Sequence, residues 1–125
     1  MKIVALTGIS PYCISELTSN HIKTLNLKNF CNLMALNSLR VGDFIFITSI
    51  SKEDLISGTE GIIAQVKKLG IHLQKENPCC SEETEFLTAR VQVEFMGYGS
   101  CINVAETDEL NPCVVVVKLK SMYEY

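Results

Sequence analysis

From Phe86 to Phe95 the chain alternates: Leu87, Ala89, Val91, Val93 and Phe95 fall on one side, and Thr88, Arg90, Gln92 and Glu94 on the other. A period of two marks a strand with one buried face. His21 to Lys28 alternates more loosely, with Ile22, Leu25 and Leu27 set against Lys23, Asn26 and Lys28, which predicts a half-buried strand with a basic outer face. Lys2 to Ile9, Phe44 to Thr48, Ile62 to Val66 (extending toward Leu73), Cys101 to Ala105 and Cys113 to Leu119 read as further strands.

Helix signals are fewer. Ser10-Pro11 is a helix start, because serine accepts a bond from an unpaired N–H and proline loses nothing at the first position. Cys13, Ile14 and Leu17 then form one face, and Ser19-Asn20 ends the helix. Phe30 to Leu39 is either a second short helix or a packed loop, and Ser51 caps one polar turn. Val41-Gly42-Asp43, Gly58 to Gly61 and Gly97-Tyr98-Gly99 read as turns, and Lys75 to Glu85 and Thr107 to Pro112 as surface loops. Tyr123 and Tyr125 read as a solvated tail.

The tally is six or seven short strands with one or two short helices, and the strands of the second half have no helix between them. That predicts a mainly β, α+β fold built as an antiparallel or mixed barrel.

Length and composition fit this reading. The 125 residues suit one domain spanning 1–125, and 47% hydrophobic residues supply a core without staples. No apolar run nears the roughly 20 residues that cross a bilayer, and no secretory signal is read at the N-terminus. The chain reads as cytoplasmic, with no membrane partner. The formal charge of −3 argues against DNA and leaves RNA or a nucleotide to a local positive patch. The six cysteines form no C-x-x-C pair and read as packing or exposed thiols, without metal or cofactor. The nucleotide-binding and hydrolase loop motifs are absent from the sequence.

The order of strand, capped helix, basic strand and Gly-Asp turn over residues 1–66 resembles the ASCH branch of the PUA-like superfamily. That branch carries G-x-K-x-x-E-x-R before a Gly-Asp turn. The matching register runs from His21 to Lys28: Lys23 matches the lysine, while His21, Asn26 and Lys28 replace the glycine, the acid and the arginine. The whole chain also resembles an archaeal domain-of-unknown-function family, through residues 5–10, Gly42-Asp43 and residues 58–64.

The resemblance implies a PUA-like or ASCH-like β-barrel that binds RNA or a nucleotide in a cleft near the first helix and the Gly-Asp turn. The resemblance nominates His21, Lys23, Lys28 and Asp43; Arg90, on the polar face of the best-patterned strand, and Tyr98, between two glycines, join them as candidates. Lysines would neutralise phosphates and Tyr98 would stack a base. Lys23 and Lys28 are five apart, so a regular strand points them to opposite faces. Asp43 has a second reading as a turn carboxylate, and Arg90 as the partner of Glu94 or Glu106.

Some ASCH-like proteins are amidohydrolases of modified nucleosides, which gives an alternative with Lys23 and Glu60 as the catalytic pair. A third alternative is a protein-interaction module without a ligand site, which expects an exposed apolar patch.

Overall fold

The computed structural model describes residues 2–76, 84–102, 106–107 and 115–124. They form β1 (Lys2–Leu6), α1 (Pro11–Asn20), β2 (Ile22–Leu27), α2 (Phe30–Asn37), β3 (Phe44–Ile47), a 3-10 turn (Lys52–Asp54), β4 (Glu60–Glu76), β5 (Thr84–Cys101), β6 (Glu106–Thr107) and β7 (Val115–Glu124). The fold is mainly β with two helices, as the patterning predicts.

The strand order is β2-β5-β4-β3-β1-β7-β6, and the lower part of β5 also pairs with β7. The pairings β1–β3–β4–β5–β7 therefore return to β1. Among the described strands β1 and β3 run parallel and the other pairs antiparallel.

Alternation along the strands splits the core in two. Each of the five strands in that circuit sends side chains into one cluster: Ile3 and Ala5, Phe46, Ile63, Cys101, then Val115 and Val117. The intervening residues Leu6, Ile45, Ile47, Ala64 and Val66 face the opposite way, into a larger cluster with Leu25 and Leu27 of β2 and Val91 and Val93 of β5. Both helices close that second cluster, α1 through the fully buried Leu17 and α2 through Ala35 and Leu36. Burying a leucine side chain is worth roughly 1.5–3 kcal/mol, so these contacts fix the helices on that face.

Local signals explain the helix boundaries. Ser10 caps α1 by accepting from the Tyr12 N–H at 3.2 Å, with Pro11 at the first helical position. Asn29 caps α2 by accepting from the N–H groups of Cys31 and Asn32 at 2.9 and 3.2 Å, so Phe30 to Asn37 is helix rather than loop.

Several expectations change. β4 and β5 are 17 and 18 residues long, not short, and pair from Glu60 opposite Ser100 to Glu76 opposite Thr84. Strand therefore occupies both ends of the expected Lys75–Glu85 loop, whose middle lies outside the described residues. Register shifts near Ile63–Ala64 and Val66–Lys68 insert one extra residue each and bend this long pair.

Gly97-Tyr98-Gly99 is no turn. It lies inside β5 with Ile63, Ile62 and Gly61 on one side and Glu124, Tyr123 and Met122 on the other. Gly97 directly follows the first bulge, a place where strands use glycine. The expected strand at Cys101–Ala105 keeps only Cys101 within β5 and bends at Ile102; residues 103–105 lie outside the described residues. Strand β7 runs through Glu124, so Tyr123 belongs to the sheet rather than to a tail. Most of the Thr107–Pro112 loop falls outside the described residues.

Candidate functional site

β2 decides where the candidate lysines point. Its burial alternates, with Leu25 and Leu27 buried and Ile22, Thr24 and Asn26 exposed. Lys23 shares parity with the buried pair and so lies on the helix side of the sheet. The expected basic outer face therefore loses Lys23: along β2 it is Ile22, Thr24 and Asn26, with the exposed Lys28 just past the strand's end.

Under α1, Lys23 meets Glu16, with 2.5 Å between Nζ and Oε2. The Tyr12 hydroxyl hydrogen-bonds the same carboxylate. The bond from Lys23, then that from Tyr12, holds Glu16 below the usual carboxylate range. The bond to Glu16 in turn holds Lys23 above the usual lysine range, and the same carboxylate raises the Tyr12 phenol. Lys23 therefore keeps its proton and serves as the counter-ion that ties β2 to α1.

The remaining candidates separate. His21 ends α1 in the left-handed region at φ 67, its N–H donating to Leu17 C=O at 2.8 Å. Its own carbonyl accepts from the Phe95 N–H at 2.6 Å. The Asp43 carboxylate accepts from the Arg40 N–H at 2.9 Å, the turn-capping role among its two readings. Lys23 pairs across Val93 to Val66, whose N–H donates to Asp43 C=O, so Lys23 and Asp43 share a row. Three strand spacings separate them along that row, about 14 Å. Glu60 lies six residues along β4 from Val66, about 20 Å at strand rise. The structure thus brings neither Asp43 nor Glu60 to Lys23. Tyr98 packs edge-on against Phe95 with 5.2 Å between ring centres, and beside Glu60 and Ser100 it lines a separate crevice of about 200 Å³.

Of the remaining candidates, Lys28 and Arg90 fall nearest each other in register. Arg90 stands directly opposite Asn26, one diagonal step from Lys28. Lys68 stands opposite Gln92, two residues along β5 from Arg90 and on the same outer face. Lys28, Arg90 and Lys68 are all exposed. The carboxylate described on this face, Glu94, pairs with Lys67 at 3.0 Å rather than with Arg90. Lys68 carried no motif; only the bulge at Lys67 sets its face.

A crevice of about 240 Å³ opens beside Lys28, between the starts of the two helices, lined also by Ser10, Cys13, Asn26, Asn29 and Asn32. No carboxylate lines it, whereas Asp43, Glu53, Asp54 or Glu60 lines each of four other crevices. Another crevice is lined by Ile50 and Ile56, 38% and 68% exposed, the patch type an interaction module expects. Cys101 is buried and Cys13 half-buried as free thiols, whereas Cys31 is disulfide-bonded, against the expectation of packing thiols alone. No helix among the described residues is long and apolar enough to cross a membrane.

The chain is 40% identical over 102 residues to an uncharacterized protein of Methanocaldococcus jannaschii. That match covers 82% of this chain and 66% of the relative, so the chain spans just under two thirds of the relative's length. A family model described as protein of unknown function (DUF473) matches residues 1–115. The chain belongs to that family.

Proposed function

We propose that the chain is an RNA- or nucleotide-binding domain of the PUA-like kind, with the outer face of β2, β5 and β4 meeting the phosphates. The observation that carries this is the grouping of Arg90 and Lys68 on one exposed face, with the exposed Lys28 just past the end of β2 beside them, on a chain whose net charge is −3. The three positions are successive diagonal neighbours, so one backbone strand can follow them. Phosphate contacts of this kind give affinity and orientation rather than base choice. The carboxylate-free crevice beside Lys28 offers room for a terminal phosphate or base.

The PUA-like reading is supported by the returning circuit of strand pairings with both helices on one side. It is supported also at His21. Where G-x-K-x-x-E-x-R carries glycine, this backbone is left-handed, a conformation that glycine adopts without strain. The hydrolytic alternative needs a lysine that yields its proton beside Glu60, and Lys23 instead keeps its proton beside Glu16.

The test is fluorescence anisotropy with labelled single-stranded RNA and with a fluorescent mononucleotide over a salt series. Lys28→Ala, Arg90→Ala and Lys68→Ala should each weaken binding and reduce the magnitude of the log–log salt slope by about 0.7. Lys23→Ala, on the other face, should leave the slope unchanged. Absence of binding at low salt, or loss confined to Lys23→Ala, would overturn the reading.

A further inference from the structure

We infer that β2 is a self-complementary sheet edge through which two copies of this chain pair. Among the described residues the strand ends the sheet, with β5 as its one neighbour. Residues 21 and 95 sit opposite each other, and His21 C=O accepts from the Phe95 N–H. In an antiparallel pair, bonded and non-bonded positions alternate, so Lys23, Leu25 and Leu27 turn their backbone groups toward β5. The N–H and C=O groups of Ile22, Thr24 and Asn26 therefore point outward along the edge. Among the described residues none bonds to them.

Edges left in this state are normally blunted by proline, a bulge or an outward lysine. β2 has neither proline nor register shift along its six pairs. Its one lysine, Lys23, is drawn onto the helix face and held by Glu16. The outward row reads Ile22, Thr24, Asn26, all three exposed and uncharged.

That row suits a second copy. A two-fold axis at Thr24 sets Thr24 against Thr24 and Ile22 against Asn26, and each outward N–H meets an outward C=O without a register slip. On the helix face the same axis sets the Lys23 stem beside Leu25, so like charges do not meet. Tyr12, 70% exposed and hydrogen-bonded to Glu16, flanks the edge on α1 and supplies an aromatic side chain for the contact. The pairing would join the outer faces of both copies into one continuous sheet surface, although the inference does not depend on what that surface binds.

The experiment is analytical ultracentrifugation over a concentration series, with hydrogen exchange read at single amides. The expected result is a reversible dimer in which the Ile22, Thr24 and Asn26 amides gain protection as concentration rises, while Lys23, Leu25 and Leu27 are protected throughout. Thr24→Pro removes an N–H that the monomer does not use, at an edge position that accepts proline. It deletes two symmetry-related bonds, each worth about a factor of five, and should weaken the dimer roughly 25-fold. A monomer at every concentration, or a dimer without the alternating protection, would overturn the inference. The wild-type exchange pattern decides the matter even if Thr24→Pro fails to fold.

Discussion

Lys23 Nζ lies 2.5 Å from Glu16 Oε2, joining the last strand of the sheet to the helix above it. The contact holds Glu16 low and Lys23 high, so its effect on stability has a sign at each end of the pH scale. The carboxylate's share is present above the ordinary unfolded value and is lost as pH falls through the lowered folded one. The lysine's share is present below its ordinary value and is lost as pH rises through the raised folded one. Glu16→Gln should lower the thermal midpoint slightly at pH 7, and the difference from wild type should shrink as pH falls toward 3. Both side chains are partly exposed, so added salt should narrow the gap. Parallel melting curves at all pH values would count against the contact.

His21 makes a second, opposite prediction. A non-glycine residue in the left-handed region costs roughly 1–2 kcal/mol. His21→Gly relieves that strain, while the added freedom of the unfolded glycine takes part of the gain back. Urea unfolding should show the variant more stable by about 0.5–1 kcal/mol, as for a glycine closing a helix. A clear loss of stability would mean that the imidazole makes contacts worth more than the backbone strain.

Much of this fold was readable along the chain because its signals are local. Ser10-Pro11 starts α1 through groups within two residues of each other. Val91 and Val93 are buried by simple alternation. The reading went astray where the deciding partner is distant. Gly97 and Gly99 look like turn residues, yet β4 and β7 hold them in extended backbone from both sides. The side of the sheet that takes Lys23 depends on whether Leu25 or Ile22 is buried, and α1 settles that by covering Leu25. Lys28 and Arg90 were visible singly, but their adjacency follows from the pairing of β2 with β5. Lys68 was missed because the bulge that sets its face leaves no mark of its own in sequence.

Gly61 is the clearest steric constraint in β4. A Cβ there would meet Ile47 O at 2.5 Å and the Phe46 ring at 2.7 Å, and Phe46 is fully buried. Neither the β3 backbone nor a packed ring can move aside cheaply. Gly61→Ala should destabilise by roughly 1–3 kcal/mol, the usual range for overpacking. Chemical denaturation should show a lower midpoint at unchanged slope. A variant as stable as wild type would mean that β3 and β4 are looser here than the structure describes.

Asn32 offers the sharpest chemical test, because its amide faces one residue with both of its ends. Oδ1 accepts from the Thr7 N–H at 3.3 Å and Nδ2 donates to Thr7 C=O at 3.0 Å, with only 5% of the residue exposed. This pair ties α2 to the end of β1. Asn32→Ala leaves both Thr7 groups without that partner and should cost about 1–3 kcal/mol. Asn32→Asp keeps the shape but turns a second oxygen toward the Thr7 carbonyl, placing a buried negative charge against a lone pair. Burial and that repulsion raise the introduced carboxyl's folded value above its unfolded one. Stability is then lowest at neutral pH and returns as pH falls through the raised folded value, since the protonated acid can donate where Nδ2 did. At neutral pH Asn32→Asp should unfold at less urea than Asn32→Ala, and near pH 4 the order should reverse. If the two variants keep the same order at both pH values, the Asn32 amide does not bond Thr7 at both ends.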